Sequence, residues 1–137
     1  MQLLMAVVCD DARVTPEGKM DIHGVFNDLY APGFPAKQDK MVLVLVVEWD
    51  RKDEGRHQFR VDLEGEDGKP SLSVEGYTDV DQRPADRPPP RTRLIMPIEE
   101  AIFPRPGPSR YMVKMKGQTF TGPSLYLVEA DEAPPAE

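Results

Sequence analysis

Cysteine is almost missing from this chain, with Cys9 alone among 137 residues. One thiol excludes an intrachain disulfide framework and fits a reducing compartment. Histidine is nearly as scarce, with only His23 and His57. So few soft ligands, set far apart, exclude a structural zinc site. A Gly-x-Ser-x-Gly elbow is absent, and so are the glycine-rich loops that cradle phosphates. No apolar run approaches the roughly eighteen residues of a membrane-spanning helix. Cations are outnumbered, 17 Lys and Arg against 24 Asp and Glu, for a net charge of −7. That balance argues against a protein that tracks nucleic-acid phosphates or binds an anionic membrane. The first residues, Met1 to Asp11, hold an apolar stretch without the positive flank or small-residue cleavage site of a signal peptide. Within them, Leu3 to Cys9 reads as the first strand of a cytoplasmic protein.

Proline and glycine are plentiful, at 15 and 10 residues. Together they punctuate a chain whose periodicity is that of strands. Leu3 to Cys9 is a short apolar run. Thr15 to Gly18 is a turn, with proline presetting φ and glycine permitting φ > 0. From Lys19 to Asn27, Met20, Ile22, Gly24 and Phe26 share one face, and Asp21, His23 and Val25 the other. Met41 to Val47 is apolar throughout, which predicts a central strand covered on both faces. Between Arg56 and Glu64, Phe59, Val61 and Leu63 face inward, while Arg60, Asp62 and Glu64 face outward. Asp67-Gly68 marks a hairpin. Leu72 and Val74, then Leu94, Met96 and Ile98, then Tyr111, Val113 and Met115 continue the inward rows. Residues 99–103 read as one helical turn or an irregular crossover. Gly122-Pro123 predicts a bulge in the last strand.

About seven to eight short strands joined by Gly and Pro turns predict an all-β fold: an antiparallel, immunoglobulin-like β-sandwich. It spans residues 1–128 as one domain. Arg83 to Arg91 is a proline-rich loop of polyproline type, best read as a stiff connector. Residues 129–137 form an acidic tail expected to be flexible.

Chemistry is thinly represented. Neither histidine has a nucleophile and carboxylate beside it in an obvious triad, and no catalytic or cofactor-binding residue emerges. Cys9, at the end of an apolar strand, reads as core. The only metal candidates are aspartates near strand ends, which suit calcium through oxygen ligands. Asp10, Asp11, Asp79 and Asp81 are the foremost, with Asp28, Asp50 and Asp53 behind them. Aspartate also belongs in turns for its own backbone bonds, and the spacing matches no calcium loop. Phe34, Trp49 and the prolines Pro88, Pro89 and Pro90 are candidate interface residues.

Several of these residues resemble a family of uncharacterised bacterial β-sandwich proteins. The likeness is carried by Val7-Val8-Cys9-Asp10-Asp11-Ala12-Arg13, the Gly18-Lys19 turn, and Ile22-His23-Gly24-Val25-Phe26. Asp67-Gly68 and Pro106-Gly107 followed by Arg110-Tyr111 extend it over most of residues 5–128. The resemblance implies a fold and no chemistry. Expected from all this is a small acidic cytoplasmic β-sandwich without cofactor, acting as a non-catalytic protein-binding or assembly module. Its partner would be another protein or a second copy, with neither nucleic acid nor membrane involved. Two alternatives remain: a structural subunit of a homo-oligomeric or larger assembly, and a metal-dependent or hydrolytic enzyme using the aspartate-bearing loops.

Overall fold

A computed structural model describes residues 1–131. Among them are nine strands: β1 (Gln2–Val14), β2 (Met20–Val25), β3 (Asp28–Ala31), β4 (Ala36–Glu48), β5 (Gly55–Gly65), β6 (Pro70–Val80), β7 (Arg91–Phe103), β8 (Gly107–Met115) and β9 (Gln118–Glu129). They form a four-stranded sheet of order β2-β1-β4-β7 and a five-stranded sheet of order β3-β9-β8-β5-β6. The fold is all-β, with two sheets in a sandwich-like arrangement, and no helix occurs among the described residues.

The inward rows follow the alternation of the sequence. Met41, Leu43, Leu45 and Val47 of β4 meet Phe59, Val61 and Leu63 of β5 and Tyr111, Val113 and Met115 of β8 in one core. Leu125, Leu127, Ile98 and Phe103 complete it. The β8–β9 connection is a two-residue turn, Lys116-Gly117, with φ of 53° and 71°. Two successive positive φ values give the hairpin twist that matches right-handed strands. In β9, Thr121 to Ser124 opposes Met112 to Arg110, so β9 has one residue more than β8 there. That is the bulge expected at Gly122-Pro123. A Cβ at Gly122 would lie 3.0 Å from the Tyr111 carbonyl oxygen, so the bulge brings the two backbones into close approach.

β4 is central, between β1 and β7, and buried on both faces as its composition demands. Its second face has a core of its own. Val42 and Val44 are buried with Cys9, and Val7, Ala12, Met20, Ile22 and Ile95 pack around them. The cover comes from the β1–β2 hairpin. β1 pairs with β4 from Gln2 to Cys9 and with β2 from Cys9 to Val14. Beyond Cys9 the hairpin folds back across the outer face, and Arg93 Nη1 of β7 donates to the Gly18 carbonyl at its tip, 2.6 Å away. Gly24 makes the bend possible. Its φ is +69°, and a Cβ there would run into the Asp10 carboxylate.

Four expectations require correction. The strands among the described residues number nine rather than seven or eight, with Asp28–Ala31 adding one. The sheets are not wholly antiparallel, since β3 runs parallel to β9. β1 does not end at Cys9; Asp10 and Asp11 lie inside it because the strand changes partner there. Residues 99–103 continue β7 rather than turning, with Ala101 and Phe103 buried and Glu100 at φ 54°. Arg13 pairs with Asp21 at 3.3 Å, across the hairpin. Residues 132–137 of the expected acidic tail lie outside the described residues.

Candidate functional site

The most elaborate polar constellation sits where β4 passes into β5. Trp49 is buried at the end of β4 and donates from Nε1 to Thr92 Oγ1 at 2.8 Å. The His57 ring stacks on it, with centroids 4.7 Å apart. His57 Nε2 lies 2.7 Å from the Asp53 carbonyl oxygen. The Asp53 carboxylate is itself buried; it accepts from the Asp50 amide at 3.0 Å and is ion-paired with Lys116 Nζ. Burial pushes this carboxyl up, but the bonds from Lys116 and Asp50 and the Lys116 charge outweigh it. The Asp53 pKa therefore lies below the ordinary carboxylate range. Both Asp53 carboxylate oxygens and His57 Nε2 thus hold structural partners.

A second buried carboxylate lies on the outer face of the five-stranded sheet. Asp62 is only 2% exposed, although β5 turns it toward water. Ser73 Oγ of β6 donates to Oδ1 at 2.5 Å and Arg60 Nε at 2.9 Å, while Lys114 Nζ of β8 donates to Oδ2 at 3.1 Å. Here too burial raises the pKa and the Ser73, Arg60 and Lys114 bonds lower it further, for a net depression. Arg56, His57, Arg60, Lys114 and Lys116 line a shallow groove of about 560 Å³ over this region. Each of its Arg and Lys residues has a carboxylate beside it: Asp79, Asp62, Asp62 and Asp53 in that order. Glu75 and Glu64 stand 3.9 Å from Arg60 and Lys114 as well, so carboxylates offset the groove's four cations.

The aspartates proposed for calcium are not brought together. Asp10 and Asp11 belong to β1 of one sheet; Asp79 ends β6 of the other, paired with Arg56 at 3.0 Å, and Asp81 follows it. Among the described residues no three His, Cys, Asp or Glu side chains meet as a metal site would need. Cys9 is buried, its Sγ 3.5 Å from the carbonyl oxygens of both Asp11 and Val42. Burial pushes its thiol up, away from the reactive thiolate.

Among the candidate interface residues, Trp49 is buried in the main core and half-buried Phe34 packs against it. Pro90 is buried and accepts from the Trp49 amide at 2.8 Å, whereas Pro88 is exposed. Arg51 Nη1 grips the Pro84 carbonyl at 2.9 Å, and its other terminal nitrogen the Arg87 carbonyl. These bonds tie the loop of residues 83–91 to Trp49 and Arg51.

Residues 4–128 match a family of unknown function, DUF6941. The chain belongs to this family. The matched span agrees with the resemblance over residues 5–128 and establishes an uncharacterised domain. No curated protein matches the chain.

What this DUF6941 domain leaves open is an edge. β2 covers β1 only from Cys9 onward, so Leu3 to Val7 has β4 on one side and no strand on the other among the described residues. The edge closes at Val8, whose carbonyl accepts from the Phe26 amide at 3.0 Å. A bulge at Leu4 lets Leu3 reach the main core and leaves Leu4 outside. Leu4 is 46% exposed, Met5 40%, and Val25, opposite Cys9, 55%. Sequence reasoning missed this edge because the pattern of β1 shows an apolar strand but not where its neighbour stops. The described residues hold no helix long and apolar enough to cross a membrane.

Proposed function

We propose that this DUF6941 domain is a non-catalytic protein-binding module, and that it works by receiving an extended strand along Leu3 to Val7. The observation that carries the reading is that open, uncharged edge flanked by exposed Leu4, Met5 and Val25. A strand with unpaired amides and carbonyls is a template for another strand. Main-chain bonds would supply registry, and covering the exposed parts of Leu4 and Met5 would add roughly 1 kcal/mol each. The commitment of Asp53, Asp62 and His57 to internal partners supports a non-enzymatic role. A net charge of −7 supports a protein partner over a nucleic acid or an anionic membrane. A bacterial, cytoplasmic setting goes with this reading, on the Cys9–Asp11 and Gly18–Lys19 motifs and one reduced thiol. The sandwich reads as immunoglobulin-like in shape, with the parallel β3–β9 pair as its departure.

The test is hydrogen exchange on the full chain titrated with a synthetic peptide copying residues 2–8, flanked by lysines for solubility. Saturable slowing at the Leu3 to Val7 amides is expected, with β5 and β8 unchanged. Unaltered exchange at those amides, in a protein that remains folded, would overturn the reading.

A further inference from the structure

We infer that the strand received at this edge is β1 of a second copy, laid antiparallel about a two-fold axis through Met5. The inference rests on the strand-receiving reading and names its partner.

The first argument is charge. The segment Gln2 to Val8 carries no ionisable side chain in a chain of net charge −7. A strand that lies along it must be extended, free of proline and uncharged, since a charge would be stranded against Leu4 and Met5. The chain's own β1 has that composition. The other outer strands are defended differently. β2 carries Asp21 and His23, and β6 begins with Pro70 and carries Glu75 and Asp79. β7 holds Arg91, Arg93, Pro97, Glu99 and Glu100, and β3 opens with Asp28. Charges and prolines of this kind blunt edges against pairing. Leu3 to Val7 lacks them.

The second argument is direction. Asp10 and Asp11 follow directly on the open edge. A parallel pairing of two copies would set these carboxylates side by side. An antiparallel pairing centred on Met5 sends them to opposite ends. The two Asp10 residues would then stand about ten residues apart along the strands, roughly 33 Å, against a screening length of about 8 Å at physiological salt. Charge therefore selects the antiparallel arrangement, which is also the one that a two-fold axis generates.

The third argument is fit. Phe26 closes the edge at Val8. With Met5 on the axis, Leu3 of each copy faces Val7 of the other, so pairing ends where Phe26 begins to obstruct. Leu4 comes beside Ala6. The sheets join in the order β7-β4-β1-β1-β4-β7, and the folded-back β1–β2 hairpins lie outside the joint.

Sedimentation of the full chain over a concentration series tests this. The expected result is a reversible dimer of twice the monomer mass, with exchange at Leu3 to Val7 slowing as concentration rises. Leu4→Lys and Met5→Lys, each made separately and checked for an unchanged circular-dichroism spectrum, should weaken the dimer at least about tenfold. That is the scale of a change near 1.4 kcal/mol. Ile102→Lys, at an exposed apolar residue of β7, should leave it unchanged. A monomer at every concentration, from a protein whose β1 amides still slow with the peptide, overturns the two-fold pairing and leaves the strand-receiving edge standing. A dimer that ignores both lysines but yields to Ile102→Lys also overturns it.

Discussion

The outer face of the four-stranded sheet holds Val42, Val44 and Cys9 beneath a hairpin of its own chain. The outer face of the five-stranded sheet holds Arg60, Asp62 and Lys114 with no covering element among the described residues, and yet Asp62 is as buried as Val42. One face becomes a core because the β1–β2 hairpin bends at Asp10 and Gly24 and returns over it. The other buries a single carboxylate by closing three polar side chains from three strands around it. Burial on a sheet exterior thus has two sources here, a folded-over strand pair and a knot of ion pairs. The two should respond to different perturbations.

The strongest break is Val44→Asp. A carboxylate placed between Val7, Ile95 and the hairpin has no partner, and we expect a loss of about 4 kcal/mol or more in urea unfolding. The same charge at exposed Gln58, on the opposite sheet, should shift stability by less than about 0.5 kcal/mol. Similar losses at both sites would mean that the hairpin does not seal its face.

Asp62→Ala comes next, at about 2 kcal/mol, the worth of hydrogen bonds to a charged group whose cations remain half in water. The pH dependence sharpens this. Asp62 and Asp53 both have pKa values below those of an unfolded aspartate. The unfolded chain therefore binds more protons as the pH drops, and stability falls with it. The contribution is complete above the unfolded value near pH 3.9 and is lost as pH passes down through the folded pKa values. Unfolding followed between about pH 6 and 2 should show this loss in the parent. Asp62→Asn should flatten it, and an equally steep curve in that variant would remove Asp62 from the account.

A smaller loss than at Asp62 is expected at the bend. Gly24→Ala puts a Cβ against Asp10 at a positive φ, for about 1.5 kcal/mol. Its signature is chemical: Cys9 should react faster with a thiol reagent as the hairpin loosens, whereas Asp62→Ala should leave that rate alone.

These regions were unequally legible in the sequence. The doubly buried β4 announces itself in Met41 to Val47, and the rows Phe59-Val61-Leu63 and Tyr111-Val113-Met115 face inward as their alternation requires. β3 is hidden because Leu29 and Tyr30 lie between Asn27-Asp28 and Pro32-Gly33, all turn formers. Only the slot beside β9 makes them a strand. Asp10 and Asp11 look like the end of β1, since nothing local shows that a strand will change partners. Asp62 is in outward phase, and its burial depends on Ser73 and Lys114, 11 and 52 residues away. Alternation reports which face a residue is on. It does not report what later folds over that face, and the open edge of β1 escapes it for the same reason.

The parallel pairing of β3 with β9 has a consequence for synthesis. The four-stranded sheet has all its members once Phe103 has left the ribosome. β3 has by then been exposed for some seventy residues without a neighbour to bond. The place between β3 and β8 is filled only when Gln118 to Glu129 follow. A chain truncated after residue 117 would therefore hold a finished first layer facing a second one in which β3 has no strand to join.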